Sequence, residues 1–396
     1  MGYDRESEAG SSLSISKGIA LSEEPGIGSL TLPGFIRDVT TRFAQREALV
    51  LHMPNAVMRW TYALLWDRAM QIARTLIACG VGKDTRVGIL MTNRPEWVAA
   101  FFGVGLAGGV AVALSTFSTV PELEYLLQAT NVSMLLLERS VAKKDFVQML
   151  CELEPAIRTA PPGELASVRF PFLRRLVAVD DSGGIAGIET WSDFLAHGNA
   201  VPATLVEATA ASVKPADAAA LFLSSGSTSR PKGILSSHRG VAIQCWRWPR
   251  MFALQDAVRT WTANGFIWSG NFGNALGATL AVGGVLILQR IFDPIEALKL
   301  IQMERVTWPH AWPHQWAQLE AAPNWESTDL SSLHYVDQCR PAVRHPSYRA
   351  PHWTDPLWTY GNTETFTIST AFARDTPPEL ADGTHCLLYT SDAADE

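Results

Sequence analysis

Apolar residues along this chain recur with two alternating rhythms, and the alternation predicts the fold. Between Thr61 and Cys79 the apolar positions Leu64, Leu65, Ala69, Ile72, Ala73 and Leu76 fall at three- and four-residue intervals, which predicts a helix with one buried face. Arg86–Met91 follows as a short strand. Trp97 to Leu114 is uncharged over eighteen residues, at the lower edge of a membrane-spanning length. Four glycines interrupt it, and Gly108-Gly109 divides it into a helix and a Val-rich strand at 110–114, so it predicts a buried helix–turn–strand unit. The pattern returns to helix over 121–130 and to strand over 132–137. Further on, 218–223 reads as a buried strand, His238 opens a helix, a second helix lies near Leu276, 285–288 is a strand and 294–303 a helix. Strands alternating with helices place the chain in the α/β class, with largely parallel sheets covered by helices.

A length of 396 residues allows two or three domains and a large core. With 47% hydrophobic and 18% charged residues the composition is globular, and a net charge of −7 argues against nucleic acid as the main partner. Residues 1–28, rich in Ser, Glu and Gly, read as a flexible leader. Met1–Gly10 is too polar for a secretion signal, and Glu6 stands where myristoylation needs Ser or Thr. Residues 29–385 read as one large domain, with a Pro-, Ala- and Gly-rich subdomain seam at 160–215. Five scattered cysteines, without a Cys-x-x-Cys pair, suit free thiols in a reducing compartment and hence a cytoplasmic location. His310 and His314 have metal-ligand spacing, but Pro309 and Pro313 break the helix that would align them, so packing is expected of both. Packing is also expected of Trp308, Trp312 and Trp316.

The strand at 218–223 empties into Ser224-Ser225-Gly226-Ser227-Thr228-Ser229-Arg230-Pro231-Lys232-Gly233. Small residues let successive backbone N–H groups turn toward one anion, hydroxyls add donors, and Lys232 adds a point charge. No Gly precedes Lys232 and no Ser or Thr follows it, so the loop is not a Walker A motif. A plain polar turn has the same composition. Arg230, Lys232, His238 and Arg239 nevertheless concentrate positive charge in an acidic chain, as an anion site requires.

The loop resembles the signature of the adenylate-forming superfamily of acyl-CoA synthetases, peptide-synthetase adenylation domains and beetle luciferases. Its pattern, Thr-Ser-Gly-[Ser/Thr]-Thr-Gly-x-Pro-Lys-Gly, is met at nine of ten places if Ser224 counts for Thr. The departure is Ser229 in place of Gly. Tyr360-Gly361-Asn362-Thr363-Glu364 resembles the superfamily's Tyr-Gly-x-Thr-Glu, and Trp60-Thr61-Tyr62, the run Gly80–Gly88, Arg94-Pro95-Glu96-Trp97 and the run Asp329–Leu333 add further matches in order. The resemblance implies the fold of the large N-terminal domain of acyl-CoA synthetases and an acid–CoA ligase working through an acyl adenylate. ATP, Mg²⁺ and CoA would be its cofactors and a small carboxylic acid its partner, with no nucleic acid and no integral membrane span.

By the same resemblance, Ser224, Ser225, Gly226, Ser227, Thr228 and Lys232 would hold the β- and γ-phosphates. Thr363 would bond the α-phosphate, Glu364 would hold Mg²⁺, and Tyr360 with Gly361 would meet adenine, making Lys232, Thr363 and Glu364 the catalytic set. Phe266-Ile267-Trp268-Ser269-Gly270-Asn271-Phe272 resembles an aromatic gate and lacks the carboxylate that amino-acid-activating members use. Trp268, Gly270, Asn271 and His238 are therefore expected at the acid's pocket, the other reading of Trp268 being plain core. Asp337-Gln338-Cys339-Arg340-Pro341 stands where the superfamily has small residues against adenine. Residues 386–396 resemble the translation of a sequencing-library adapter, in which case the natural sequence ends near His385 with a charge of −4 and the superfamily's small C-terminal domain is missing. Two alternatives stay open: a ligase loading a carrier protein, and a non-catalytic nucleotide- or acyl-binding module.

Overall fold

The computed structural model describes residues 20–224, 230–351, 353 and 359–371, with the backbone of 384–385 and 388–389. Most of the expected leader and most of the 386–396 tail lie outside the described residues. Within the leader's described end, Leu21–Glu23 forms a 3-10 turn, and Glu24 is bonded by Arg247 at 2.9 and 2.7 Å. That pairing holds the Glu24 carboxyl below its usual range.

Two sheets organise the chain. The larger has seven strands in the order Lys232–Ser237, Ala218–Ser224, Val110–Ala113, Arg86–Leu90, Met134–Leu137, Arg175–Ala178 and Ile188–Thr190. All neighbours are parallel except the first pair, an antiparallel hairpin. The last two strands bring 160–215 into this same sheet. The smaller sheet runs Trp308–Pro309, Arg259–Thr262, Val285–Leu288, Glu47–Met53 and Ala56–Thr61, again parallel but for one edge hairpin.

Both sheets are buried on both faces, which is why several inner strands, among them Val110–Ala113, Met134–Leu137 and Val285–Leu288, read as unbroken apolar runs. Side chains alternate across a strand, so Ile89, Ala111 and Leu136 face one core while Leu90, Val112 and Leu135 face another. In the smaller sheet Leu49 and Leu286 face the first of these cores, and Val50 and Ile287 face a third. Helices Leu32–Arg42, Tyr62–Ala78, Pro95–Leu106 and His238–Met251 contribute to that shared middle core. The layers are thus helix, sheet, helix, sheet, helix. Thr61 caps Tyr62–Ala78, its hydroxyl accepting from the Leu64 N–H at 3.1 Å. The uncharged stretch 97–114 is the helix Pro95–Leu106 and the strand Val110–Ala113, joined through Gly108 at φ +76°. Among the described residues no helix is long and apolar enough to cross a membrane.

Candidate functional site

The hydroxyl-rich loop is a hairpin connection. Ala218–Ser224 leaves the sheet and Lys232–Ser237 returns antiparallel to it, with Ser224 opposite Lys232. Ser225, Gly226, Ser227, Thr228 and Ser229 lie outside the described residues. Lys232 is exposed, while the Ser224 hydroxyl is buried and has no hydrogen-bond partner among the described residues. Tyr125 anchors the loop's returning end: its hydroxyl donates to the Pro231 carbonyl at 3.0 Å, and the Arg230 guanidinium lies 5.3 Å from its ring centroid. Tyr125 carried no sequence signal, because a lone tyrosine on a helix face reads as packing.

Thr363 and Glu364 sit in a 3-10 turn, Thr363–Thr365, between the paired strands Tyr360–Gly361 and Ile368–Thr370. The close pairing needs glycine at 361, since a Cβ there would meet the Thr367 carbonyl oxygen at 1.9 Å. Asn362 caps the turn, accepting from the Thr365 N–H at 3.0 Å. Phe366 then takes φ +70°, a strained value for a bulky residue, and its N–H donates to the Thr363 carbonyl at 2.9 Å. The turn packs against both strands that flank the hydroxyl-rich loop. The buried Phe366 ring packs against both Phe222 and Phe272, with centroids 5.4 and 6.0 Å away. The structure therefore brings Ser224, Lys232, Thr363 and Glu364 into one region. Glu364 and Tyr360 are exposed and Thr363 is half-buried.

The four residues expected at the acid's pocket fall in different surroundings. Trp268 is 41% exposed, so the plain-core reading of it does not hold. Gly270 faces open space. Asn271 is buried, its amide committed to the Asn264 carbonyl at 2.6 Å and to the Thr262 hydroxyl at 3.2 Å. Asn93 extends that network, donating to the same Asn264 carbonyl at 2.7 Å and accepting from the Phe266 N–H at 3.1 Å. His238 is buried at the start of its helix, its Nδ1 accepting from the Leu32 N–H at 3.2 Å. Burial pushes this imidazole down to about 4, so it is neutral at pH 7.

The chain's aromatic cavity lies elsewhere. A cleft of about 280 Å³ is lined by Trp248, Trp308, Trp312, Trp316, Tyr335 and Trp353 among others. The expectation of packing holds for Trp308 and Trp316, which border this cleft but are buried in the core, and is corrected for Trp312, which is 43% exposed. His310, also assigned to packing, lines it too, as do Asp337 and Arg340 of the segment that departs from the small residues expected there. Asn274 reaches the cleft from the π-helical stretch Phe272–Gly277, one turn beyond Asn271. Thr359 and Ile368 line it from the hairpin that carries Thr363.

A second polar cluster escaped the sequence altogether. Glu138, fully buried at the end of Met134–Leu137, accepts from the Thr92 N–H at 2.9 Å and the Thr92 hydroxyl at 2.7 Å. It is also paired with Arg290, which follows Val285–Leu288 in the other sheet. Burial, and next the neighbouring Arg94, push the Arg290 guanidinium below its ordinary value. This pair ties the two sheets together at the carboxyl ends of their strands, the edge where ligands of open α/β sheets bind. Among the described residues no group of three or more His, Cys, Asp or Glu side chains is placed to hold a metal.

Comparison with known proteins identifies the family and the fold. Residues 36–386 match the model of the AMP-binding enzyme family, and the chain belongs to that family. It is 32% identical over 312 residues to the 3-[(3aS,4S,7aS)-7a-methyl-1,5-dioxo-octahydro-1H-inden-4-yl]propanoyl:CoA ligase of Mycobacterium tuberculosis, an alignment covering 76% of this chain and 57% of the relative. The crystal structure of the anthranilate CoA ligase AuaEII in complex with anthranoyl-AMP superposes with a TM-score of 0.72 at 22% identity, covering 91% of this chain and 64% of that one. The N-terminal domain of FACL13 from Mycobacterium tuberculosis gives 0.67 at 19% identity over 91% and 82%. These likenesses establish the fold: the α/β architecture is that of the N-terminal domain of adenylate-forming enzymes. The chain spans little more than half the length of relatives such as the propanoyl:CoA ligase.

Proposed function

We propose that this chain supplies the ATP- and acid-binding groups of a carboxylic acid–CoA ligase that works through an acyl adenylate. The observation that carries the reading is the packing of the Thr363–Thr365 turn on the two strands flanking the hydroxyl-rich loop. Two motifs separated by some 130 residues of chain thereby lie side by side, as a single anion-binding region requires. In the first step a carboxylate oxygen bonds to the α-phosphorus of ATP as the bond to the β-phosphate oxygen breaks, and pyrophosphate leaves. Lys232 and the loop's donors neutralise the departing β- and γ-phosphates, and Thr363 donates to the α-phosphate. The Ser224 hydroxyl, buried and without a partner among the described residues, fits a donor to such an oxygen. Mg²⁺ binds through few carboxylates when phosphate oxygens complete its shell, so Glu364 suffices, and the ion would neutralise phosphate charge there. The exposed Tyr360 ring would stack on adenine. In the second step the CoA sulfur attacks the acyl carbonyl and AMP leaves.

The test is acid-dependent ATP–pyrophosphate exchange followed by product analysis with CoA and with an acyl carrier protein as acceptors. Exchange with acyl-CoA formed supports the reading. A carrier-bound product without acyl-CoA replaces the acceptor, and nucleotide binding without exchange leaves only a binding module.

A further inference from the structure

The cleft described above is bordered by aromatic side chains held in fixed positions, of which Trp312 is the exposed one. The Trp353 indole N–H donates to the Phe252 carbonyl at 3.1 Å, and the Tyr335 hydroxyl accepts from the Gln255 N–H at 2.9 Å. Trp248 stacks on Phe252 at 4.8 Å, and Phe252 lies 4.9 Å from Trp308. Rings fixed in this way favour a planar partner, which gains face and edge contacts and loses little rotamer freedom. A long alkyl chain would lose more freedom and find few aliphatic neighbours. The volume of about 280 Å³ points the same way, since pockets for drug-sized ligands measure roughly 300–1,000 Å³. It suits one ring with a short spacer.

The lining also holds an unmet polar demand. Asn274 Oδ1 and His310 Nδ1 are buried and have no hydrogen-bond partner among the described residues. The amide oxygen can only accept, and it sits in a π-helical turn, a distortion common at functional sites. A buried acceptor without a donor is costly, so a ligand hydroxyl placed there gains. Burial pushes the His310 imidazole down to about 4, so a neutral ring joins the wall. Thr359 and Ile368 place the cleft beside the turn carrying Thr363, where the acid's carboxylate must meet the α-phosphate.

We propose that this cleft selects an aryl carboxylic acid with a ring hydroxyl, the ring lying against tryptophan and the hydroxyl donating to Asn274. The inference rests on the acid-activation reading above.

The test titrates the full chain with 4-hydroxybenzoate, 4-hydroxycinnamate, benzoate, octanoate and palmitate, following tryptophan fluorescence, and repeats the series by ATP–pyrophosphate exchange. Hydroxylated aryl acids are expected to bind about tenfold tighter than either alkyl acid. Asn274→Leu should remove about a tenfold preference for the hydroxylated over the plain ring, while Asn274→Asp, which keeps an acceptor, retains it. Tighter binding of octanoate or palmitate would overturn the proposal. So would an unchanged preference in Asn274→Leu, or competitive displacement of 4-hydroxybenzoate by adenosine, which would make the cleft the base's own. Selective aryl binding with no exchange for any acid would instead sink the acid-activation reading and leave the cleft's selectivity standing.

Discussion

Phe366 stands edge-on to Phe222, with ring centroids 5.4 Å apart and planes at 68°, and so fixes the turn bearing Thr363 and Glu364 to the strand that enters the hydroxyl-rich loop. Phe272, beside the segment expected at the acid's pocket, meets both rings at 6.0 and 5.9 Å. Three segments remote in sequence are thus joined by one buried cluster of three rings.

Phe366 makes that contact at φ +70°, a conformation that costs a non-glycine residue about 1–3 kcal/mol. Removing the ring should destabilise the fold by about 3–5 kcal/mol in Phe366→Ala, which keeps the strain. Phe366→Gly loses the same packing and sheds the strain, so its urea midpoint should correspond to about 0.5–1 kcal/mol more stability than the alanine variant. A glycine variant no more stable than alanine would show that the backbone is not strained here.

Glu138 and Arg290 supply a second test of the architecture. Arg290→Ala leaves a fully buried carboxylate with its main cation gone, a loss of about 3–5 kcal/mol. The double variant Glu138→Leu with Arg290→Met should recover most of that in thermal unfolding. If the double variant is as unstable as the single, the pair is needed for its geometry and not only for charge balance.

His238 and His310 make stability depend on pH. Each imidazole falls from 6.5 to about 4 in the fold because burial disfavours its charged form. The unfolded chain therefore binds protons that the native chain does not between about pH 6.5 and 4. Stability is fully present above that window and falls as pH drops through it, by on the order of 3 kcal/mol per group. Unfolding measured from pH 7.5 down to 4.5 should show the decline, and His238→Asn should make it shallower. A profile that does not change in His238→Asn would place the titrating groups elsewhere.

Much of the architecture could be read along the chain because both sheets are covered on both sides. Val110–Ala113, Met134–Leu137 and Val285–Leu288 are runs of apolar residues for that reason. Arg259–Thr262 was hidden by its polar residues: Thr260 is fully buried, its hydroxyl bonded to that of Thr279 at 2.7 Å, and Thr262 satisfies Asn271. The hairpin Glu47–Met53 with Ala56–Thr61 also escaped notice, since its second strand is mostly exposed and lacks a clean alternation. Lys232–Ser237 was missed as a strand because it is a two-sided edge whose Leu235 is 52% exposed. At the site, the two motifs carried their own spacing and composition. The cleft did not, because a tryptophan packed on every side and one facing a cavity look alike in one dimension. Nor could periodicity separate Asn271, consumed by Asn264 and Thr262, from Asn274, which the π-helical turn carries to the cleft.

If the loop ending at Lys232 and the turn holding Thr363 grip one triphosphate, losing either side chain must weaken ATP binding. Calorimetric titration of ATP–Mg²⁺ into the parent chain, Lys232→Ala and Thr363→Ala tests it most directly. Each substitution should weaken ATP binding by about 1–3 kcal/mol, the usual loss for a charge-assisted or buried phosphate contact, while the acid's own affinity stays nearly unchanged. Parent-like ATP affinity in both variants would contradict the account and reduce the loop to a surface hairpin.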